Sequence, residues 1–401
     1  MPSTGAEDAA RELLECALSG RAWREETLAR VSEGEGSQWL FRIVAEGMAD
    51  RFEPRLCDVY AELFAEVLAR HTGLHALHLL ERYQRVRQVR RYDGDAHEVR
   101  DVFVLSRVTL GADIAVTSEL LYAARRKFPA ARIWLAGSRK SWELFAGAGW
   151  VRHAELEYGR SAEIESRLKV WPRLRELCAV ERSVVIDPDS RLTQLGLLPI
   201  CAEAEYYFFE SRGYGGEGTD TLGALASRWA EEVFGVAGAR AWMQPVEAEA
   251  ECTGEIAVSL GVGENPAKRM SDAFERDLLR LLAETGRRVV VDEGAGGEEA
   301  ARVRGAAEAA GVETWRGPFA EFAERIRRSS LYAGYDSAGG HAAASFGVPL
   351  VSIFLGYPCE RMFERWKPDG RGPKAIVRGE PRDEERIWRE TREAVQAMAR
   401  R

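Results

Sequence analysis

A glycine-rich loop that runs directly into an alanine-rich helix has the densest set of potentially reactive groups in the chain, in GYDSAGGHAAASFGVP at residues 334–349. Gly339 and Gly340 leave the first helical turn without side chains, so a ligand could approach its backbone N–H groups. Those groups and the helix dipole favour an anion, typically a phosphate, and Ser337 could add a hydroxyl. The spacing therefore predicts an anion-binding helix N-terminus.

Two further side chains of this stretch indicate what else the ligand carries. His341 could donate a hydrogen bond or place a partial positive charge beside the anion. Asp336 would repel a phosphate, so its carboxylate is better suited to accept hydrogen bonds from sugar hydroxyls. An acid beside a phosphate-binding helix predicts a sugar phosphate or a nucleotide sugar. The alternative is that Asp336 or Ser337 is only the N-cap of the helix and that His341 is an ordinary helix residue.

The elements that position this site form two successive α/β stretches. Buried-strand runs such as DVFVLS, SVVIDP, EIAVSLG and PLVSIFLG alternate with helical patterns, which is typical of parallel sheets with helical crossovers. We expect two doubly wound, Rossmann-like domains facing a cleft, at 98–245 and 246–380, separated by a low-pattern segment at 235–254. Ligands of such sheets bind beyond the carboxyl ends of the strands, where residues 334–341 lie.

Helices flank these two stretches. Residues 1–97 look helical throughout, which predicts an additional N-terminal helical region. A last helix in 381–401 is expected to pack at the surface or to cross back to the first Rossmann-like domain. The chain thus predicts an α/β fold with an extra helical part.

Composition indicates a soluble, cytoplasmic protein. The 401 residues are 46% hydrophobic and 30% charged, no apolar run approaches the ~20 residues of a membrane span, and the acidic N-terminus lacks a signal-peptide pattern. Six cysteines without CxxC spacing predict reduced thiols. The net charge of −8 argues against nucleic acid as the main partner. The oligomeric state is left open.

Two clusters in the helical region have a structural and a functional interpretation. Five arginines between Arg82 and Arg91 form either a solvated helix face or an anchor for anionic lipid or a polyanionic acceptor, which leaves peripheral contact with the inner face of the cell membrane open. His71, His75 and His78 have a spacing that can hold zinc, but no cysteine or carboxylate pair completes the set. We therefore predict no metal site.

Several motifs in the same order resemble those of the heptosyltransferase-like glycosyltransferases of family 9, whose fold is GT-B. The stretch at 334–349 resembles the family's G-N-D-S-G-x-x-H-x-A-x-x-x-G-x-P, with Tyr335 and Ala338 as departures. Upstream segments similar to family motifs are FVLSRVTLGADIAVTSELLYAARRKFPAARI, SLGVGENPAKRMS and GPFAEFAERIRRSSLYAGYDS. The similarity covers roughly residues 100–370 and leaves the N-terminal helical region unaccounted for.

The resemblance implies that Asp113 is the catalytic base. It matches the aspartate of the family's R-x-x-x-x-G-D loop, which would accept the proton of the acceptor hydroxyl as that oxygen attacks the anomeric carbon, a single displacement that inverts the configuration. Ala112 replaces the usual glycine, and Gly111 stands one place earlier. The alternative is that Asp113 is a helix N-cap.

The resemblance also implies a donor site that works without a metal or other cofactor. Lys268 matches the lysine that contacts the donor diphosphate and could neutralise the leaving group; Arg269 matches its basic neighbour, while Met270 replaces an aromatic residue. Asp292 and Glu293 follow a strand and would meet the ribose or base of the donor, or form a surface turn. The expected donor-binding residues are Lys268, Asp336, Ser337, Gly339, Gly340, His341, Asp292 and Glu293.

Acceptor-binding residues are expected in the first α/β domain. Arg107 belongs to the loop that matches R-x-x-x-x-G-D. Ser190, Arg191 and Gln194 lie in DPDSRLTQLGLLP, where the family has a D-x-Q-G-type loop, and could orient acceptor hydroxyls or phosphates.

The predicted function is an inverting, metal-independent glycosyltransferase that moves a sugar from a nucleotide-diphosphate sugar to a hydroxyl of a glycan, glycolipid or other acceptor. The resemblance favours an ADP-heptose-like donor and a role in lipopolysaccharide biosynthesis. The alternatives are a non-catalytic nucleotide-sugar-binding or scaffold protein, and a GT-B-fold epimerase or hydrolase that processes the donor alone.

Overall fold

The computed structural model describes residues 5–159, 163–246, 252–263 and 265–400. Part of the predicted linker, at 247–251, lies outside the described residues. The chain forms two compact units. The first comprises residues up to 109, 119–141 and 150–239, and the second comprises 110–118, 142–149 and the chain from 240 onward.

Helices occupy the start of the first unit. They are α1 (Gly5–Ser19), α2 (Glu25–Ser32), α3 (Ser37–Trp39), α4 (Glu46–Ala49), α5 (Pro54–Thr72) and α6 (Ala76–Val86), with a π-helical turn at Leu40–Ala45. The chain from 87 to 100 has neither helix nor strand, so the helical region ends earlier than predicted. Tyr60 and Phe64 of α5, stacked at 4.1 Å, share one hydrophobic core with Phe103 and Phe208 of the first sheet. The helices and this sheet are therefore packed together within one unit.

The first sheet is parallel throughout. Its strands are β1 (Asp101–Leu105), β2 (Arg132–Gly137), β3 (Val151–Glu155), β4 (Ser183–Asp187) and β5 (Tyr206–Phe208), in the order β3-β2-β1-β4-β5. The helices along this part of the chain are α7 (Leu110–Ala112), α8 (Ser118–Lys127), α9 (Arg139–Glu143), α10 (Ile164–Leu168), α11 (Val170–Cys178) and α12 (Leu222–Phe234). The strand order reverses between β1 and β4, which makes this sheet doubly wound.

The second sheet is also parallel and doubly wound. Its strands are β6 (Ile256–Ser259), β7 (Val289–Asp292), β8 (Glu313–Trp315), β9 (Leu331–Tyr335), β10 (Leu350–Leu355) and β11 (Lys374–Gly379), in the order β11-β10-β9-β6-β7-β8. The helices are α13 (Asp272–Ala283), α14 (Gly297–Ala310), α15 (Phe319–Arg328), α16 (Ala338–Phe346), α17 (Glu360–Trp366) and α18 (Glu384–Ala399). Here the order reverses between β6 and β9. The predicted α/β class with two Rossmann-like sheets is confirmed.

Local sequence explains the element boundaries. Every residue of β1, β4, β9 and β10 is buried, as expected for strands covered by helices on both faces. The Ser271 hydroxyl caps α13 by accepting from the Phe274 N–H, and Gly311 and Gly347 end α14 and α16 in the left-handed conformation that favours glycine. Among the described helices, none is long and apolar enough to cross a membrane.

The last helix, α18, belongs to the second unit. It packs against β10, β11 and α13, and Ile387 and Val395 lie in the core of the second sheet.

The arginine run at the end of α6 is used inside the first unit. Four of its five guanidinium groups donate to acceptors around β5, although the Arg85 side chain stays 57% exposed. The pairs are Arg82 with the Gly196 carbonyl, Arg85 with Glu203, Arg87 with Glu210 and Arg90 with the Tyr207 hydroxyl. These bonds fasten the helical region to the first sheet.

Candidate functional site

Two predicted donor-site residues meet at the point where the strand order of the second sheet reverses. Asp336 follows β9, and Lys268 lies in the 3-10 turn Pro266–Lys268 after β6. The Lys268 Nζ donates to Asp336 Oδ2 at 2.6 Å. The carboxylate is nearly buried, with 8% of its side chain exposed, and the lysine is 21% exposed. The sequence placed these residues on different parts of a ligand, whereas here they neutralise each other.

The turn that carries Lys268 is positioned by its neighbours. The Asn265 side chain caps it by accepting from the Ala267 N–H at 3.1 Å. Gly356, which follows β10 with φ of 68°, lies so close that a Cβ there would be 2.8 Å from the Ala267 carbonyl oxygen. Only glycine fits both this backbone conformation and this contact. Residue 264, in the same loop, lies outside the described residues.

The start of α16 contains two glycines with different roles. Ser337 holds the N-cap position, but its hydroxyl makes no capping hydrogen bond and lies 3.3 Å from the Tyr332 hydroxyl. A Cβ on Gly339 would come within 2.3 Å of that tyrosine oxygen, whereas one on Gly340 would find only Pro368 at 3.5 Å. Gly339 is thus required for packing, and Gly340 is not.

His341 is buried beside this ion pair. It contacts the Trp366 ring edge to face, with centroids 6.0 Å apart. Burial lowers the pKa of the imidazole below 6.5, while the carboxylate of Asp336 acts in the opposite direction. The ring is therefore neutral at pH 7 and would act as a hydrogen-bonding group, not as the partial positive charge considered from the sequence.

Asp113 lies inside a helical segment. The helix begins at Leu110, and Asp113 opens the π-helical turn Asp113–Thr117, so the N-cap alternative is wrong. The aspartate is fully buried, and the Thr117 hydroxyl donates to its Oδ1 at 2.8 Å. Single π-helical turns occur often at functional sites.

The Asp113 segment contacts α16. Both α7 and the π-helical turn pack against α16 within the second unit. A Cβ on Gly111 would lie 3.3 Å from His341 Cδ2 and 3.5 Å from the Ala338 Cα. The displaced glycine of the G-D loop is thus the residue that allows this close approach.

The two predicted acids at the end of β7, Asp292 and Glu293, have different hydrogen-bond partners. Glu293 accepts from Arg304 at 2.8 Å and from the Thr314 hydroxyl at 3.0 Å, which are contacts within the domain and argue against a ligand role. Asp292 is half-buried, with its Oδ1 accepting from the Gly294 N–H. Burial raises the pKa of the Asp292 carboxyl to about 6. Of the predicted pair, Asp292 is the better candidate for a ribose or base contact.

The sequence analysis missed Glu299, which joins the loops after β6 and β7. The N–H groups of Val262 and Gly263 donate to its Oε2 at 2.9 and 3.1 Å, and that of Ala295 donates to its Oε1 at 3.1 Å. A Cβ on Gly294 would lie 2.3 Å from the same carboxylate. The available signal was the position of Glu299, third in α14, where a glutamate often reaches back to the chain before the helix.

On the first sheet, the predicted acceptor residues lie near the reversal between β1 and β4. Arg107, after β1, donates to the Pro188 carbonyl at 2.5 Å and to the Ser211 hydroxyl at 2.7 Å. Ser190, after β4, is fully buried; its hydroxyl donates to the Ser106 carbonyl and accepts from the Leu192 N–H. Ser190 is therefore a structural cap, which corrects its assignment to acceptor binding.

The other two residues predicted to bind the acceptor substrate, Arg191 and Gln194, have side-chain groups whose hydrogen bonds are weak or missing. Arg191 donates to the Tyr60 hydroxyl at a long 3.4 Å. Gln194 donates to the Tyr158 hydroxyl at 3.4 Å, and its buried Oε1 has no hydrogen-bond partner among the residues that the structure describes. Buried amide oxygens are normally paired, so Gln194 remains a candidate for ligand contact.

Two aspartates that the sequence analysis did not single out organise this loop. The Asp187 carboxylate accepts from the Thr193 and Tyr206 hydroxyls, each at 2.5 Å. Burial raises its pKa to about 6, although these hydrogen bonds act in the opposite direction. Asp189 forms a buried, two-pronged ion pair with Arg212. The carboxyl end of β4 is thus built around buried acids.

The histidines do not form the helical face that their spacing suggested. The α5 helix ends at Thr72, and His75 is the N-cap of α6. His71 is engaged elsewhere, with Nε2 2.7 Å from the Ser32 carbonyl and Nδ1 3.3 Å from Glu165. Within the described ranges, no group of three potential ligands could hold a metal ion.

A matched pair of substitutions tests the mouth of α16. We expect Gly339→Ala to destabilise the protein by about 1–3 kcal/mol, because fully buried Tyr332 cannot withdraw from the new methyl group. Gly340→Ala should change the free energy of unfolding by less than about 1 kcal/mol. Urea denaturation of both variants measures the difference, and equal effects would contradict the packing assigned to Gly339.

Asp187 should make stability depend on pH. Its folded-state pKa of about 6 exceeds the 3.8 of an unperturbed aspartate, so its contribution to stability is full below pH 4 and is lost as the pH rises through 6. The loss is about 3 kcal/mol. Urea denaturation at pH 4 to 7 should therefore show wild type losing stability relative to Asp187→Asn over this range.

Thr193→Val provides the companion variant. It removes a hydroxyl donated to the Asp187 carboxylate, which should raise the pKa further and move the decline to higher pH. An unchanged pH dependence in both variants would mean that Asp187 does not titrate in this range.

Solved structures share this fold. No protein-family model matches the chain, and no curated protein matches it by sequence. E. coli heptosyltransferase WaaC with ADP is 14% identical with a TM-score of 0.58, covering 74% of this chain and 99% of that chain. E. coli ADP-heptose lps heptosyltransferase II is 17% identical with a TM-score of 0.51 and the same coverage. The glycosyl transferase family 9 structure from Veillonella parvula DSM 2008 is 15% identical with a TM-score of 0.53, covering 70% and 86%.

These likenesses agree with the order of motifs in the sequence. They span nearly the whole of both E. coli chains and about three quarters of this one. The chain therefore has the fold of the heptosyltransferases of glycosyltransferase family 9.

Proposed function

We propose that this chain is an inverting, metal-independent glycosyltransferase that transfers a sugar from a nucleotide-diphosphate sugar to a hydroxyl of a glycan, glycolipid or other acceptor. The observation that carries the proposal is the Lys268–Asp336 ion pair at the mouth of α16, where the strand order of the second sheet reverses. This is the position at which open parallel sheets bind nucleotides.

Donor binding would exchange the partners of this ion pair. A diphosphate carries more negative charge than a single carboxylate and would draw the Lys268 ammonium toward itself, with the N-terminus of α16 adding its dipole. Asp336, released from the lysine, would accept hydrogen bonds from the sugar hydroxyls. Ser337 and neutral His341 would complete the contacts without adding charge.

An ADP-heptose-like donor is the one that the resemblance favours. The solved heptosyltransferase structures with this fold are described with ADP and with ADP-2-deoxy-2-fluoro heptose. In this chain, Asp292 at the end of β7 would meet the ribose or base.

Asp113 would act as the base. Its turn packs against α16, next to the helix that would hold the donor. Because the carboxylate is buried with Oδ1 bonded to Thr117, the reaction would include a step that exposes it to the acceptor hydroxyl. The same burial favours the second candidate function, a nucleotide-sugar-binding protein without catalysis.

A thermal-shift screen tests donor binding. ADP, UDP, GDP and TDP are added separately, and a nucleotide at 100 times its Kd should raise stability by about 2.7 kcal/mol. Lys268→Met should weaken nucleotide binding by about 10- to 100-fold, since a charged hydrogen bond contributes about 1.5–3 kcal/mol. Lys374→Met is the matched control. Lys374 is the first residue of β11 in the same unit, and its ammonium group donates to the Asp369 carboxylate.

Each variant is compared with its own ligand-free state, because Lys268→Met also leaves Asp336 unpaired. No response to any of the four nucleotides, or an equal response in both lysine variants, would contradict the proposed donor site.

Asp113→Asn tests the chemistry. We expect sugar transfer to fall by about 10²- to 10⁴-fold, the usual contribution of a general base, while nucleotide binding stays nearly unchanged. Release of nucleoside diphosphate from candidate donors, with and without acceptor glycans, measures turnover.

Thr117→Val separates the base from its hydrogen-bond partner and should retain activity. Unchanged turnover in Asp113→Asn would remove Asp113 from the mechanism. Nucleotide binding without any turnover in wild type would favour the non-catalytic alternative.

A further inference from the structure

The loop after β6 is held at three consecutive residues, and the ion pair of Lys268 is the first of these contacts. The next residue, Arg269, donates from Nε to the Glu275 carboxylate of α13 at 3.2 Å. The N–H of Met270 donates to the Tyr335 hydroxyl at 3.0 Å. The loop is therefore fixed through its main chain as well as through its lysine side chain.

A further hydrogen bond joins two of these contacts to each other. The Tyr335 hydroxyl donates to Glu275 Oε1 at 3.1 Å, and this is the oxygen that also accepts from Arg269. Both Tyr335 and Glu275 are fully buried, and the tyrosine belongs to the core of the second sheet. Because the hydroxyl accepts one hydrogen bond and donates another, its orientation is fixed, and it links the position of the loop to that of α13.

The same carboxylate is also connected to the strand that precedes the loop. Glu275 Oε2 accepts from Arg302 Nη1 of α14, and Arg302 Nη2 donates to the Leu260 carbonyl at 2.9 Å. Leu260 is the first residue after β6. Leu260 and Met270, the two ends of the loop, are thus tied to one buried carboxylate, each through a single side chain.

Tyr335 and Asp336 are neighbours in the chain, so one segment holds the loop at two points. Asp336 bonds to the side chain of Lys268, and Tyr335 bonds to the main chain of Met270. Without the Tyr335 bond, the loop could shift relative to the start of α16 while the flexible lysine kept its ion pair. Positions 270 and 335 are also two of the departures from the family motifs, and the structure brings these two departures into contact.

We propose that Tyr335 and Glu275 are positioning residues of the donor site, which hold the Lys268 ammonium group where the diphosphate of the donor binds. The inference rests on the proposed function, since it assumes that Lys268 binds the donor. Both residues are buried and act through the loop, not by touching the donor. A loop that is already held in its binding conformation loses less freedom when the ligand arrives, which increases affinity.

Tyr335→Phe tests the inference, because it removes the hydroxyl and keeps the ring. Isothermal titration calorimetry with ADP, UDP, GDP and TDP measures nucleotide binding in the full chain. We expect binding to weaken by about three- to tenfold, the usual contribution of one hydrogen bond. In a chain that already carries Lys268→Met, the same substitution should change binding by less than about twofold, since its effect passes through the lysine.

Amide hydrogen exchange reports on the loop without any ligand. The Met270 N–H should exchange about three- to tenfold faster in Tyr335→Phe, because it loses its acceptor. Ser330→Ala is the matched control, since Ser330 lies at the opposite end of β9 and its hydroxyl bonds to the Gly254 carbonyl and to Arg287. It should leave both nucleotide binding and the exchange of Met270 as in wild type.

Arg302→Lys enters the same network from α14 and keeps the inference testable if Tyr335→Phe does not fold. The Arg302 side chain is 16% exposed, and a lysine lacks the forked group that bonds Glu275 and Leu260 together. This variant should also weaken nucleotide binding by about three- to tenfold, and it too should lose that effect when combined with Lys268→Met.

Three results would overturn the inference: unchanged nucleotide binding in Tyr335→Phe, the same loss of binding with and without Lys268→Met, or an equal loss in Ser330→Ala. The two proposals fail in different ways. A chain whose nucleotide binding depends on Lys268 but not on Tyr335 retains the donor site and loses only this inference. A wild-type chain that binds none of the four nucleotides contradicts the donor site and this inference together.

Discussion

The ion pair between Lys268 and Asp336 is the interaction on which the arrangement of the second sheet's loops depends. It joins the loop after β6 to the start of α16, and removing one member of a buried pair costs about 3–5 kcal/mol because a charge is left unpaired. Gly356 packs against the same loop, and the Asn265 side chain caps its turn. The site is thus organised before any ligand arrives, and a diphosphate would compete with an internal carboxylate for one ammonium group.

In the first sheet, buried acids hold the loops that follow the strands. At the end of β4, the Asp187 carboxylate accepts hydrogen bonds from two hydroxyls and one backbone N–H. Asp189 forms an ion pair with Arg212. The N-terminal helices are fastened to the neighbouring loops through guanidinium groups. A helical region that shares a core and buried ion pairs with the sheet is part of the scaffold of the first unit.

The sequence predicted those secondary-structure elements that a local residue pattern determines. Fully buried strands such as β4 and β10 are apolar runs between turn residues, so the sequence predicted them. The edge strands β3, β5 and β11 were not predicted. Polar residues interrupt β3 and β11, and β5 is only three residues long. Lys268 and Asp336 were both assigned to the donor site, but no local signal shows that residues 68 apart bond to each other. The burial of Ser190 depends likewise on tertiary packing.

The burial of Asp113 restricts any mechanism in which this residue acts as the base. A base must reach the proton that it abstracts, and here the carboxylate is covered and bonded to Thr117 within a π-helical turn. Such a turn already departs from regular helical hydrogen bonding, so a small rearrangement can change which side chains it presents. Because the turn packs on α16, whose N-terminus would hold the diphosphate, donor binding is the event placed to drive that rearrangement. The proposed transfer by Asp113 therefore requires that this turn opens when the donor site is filled.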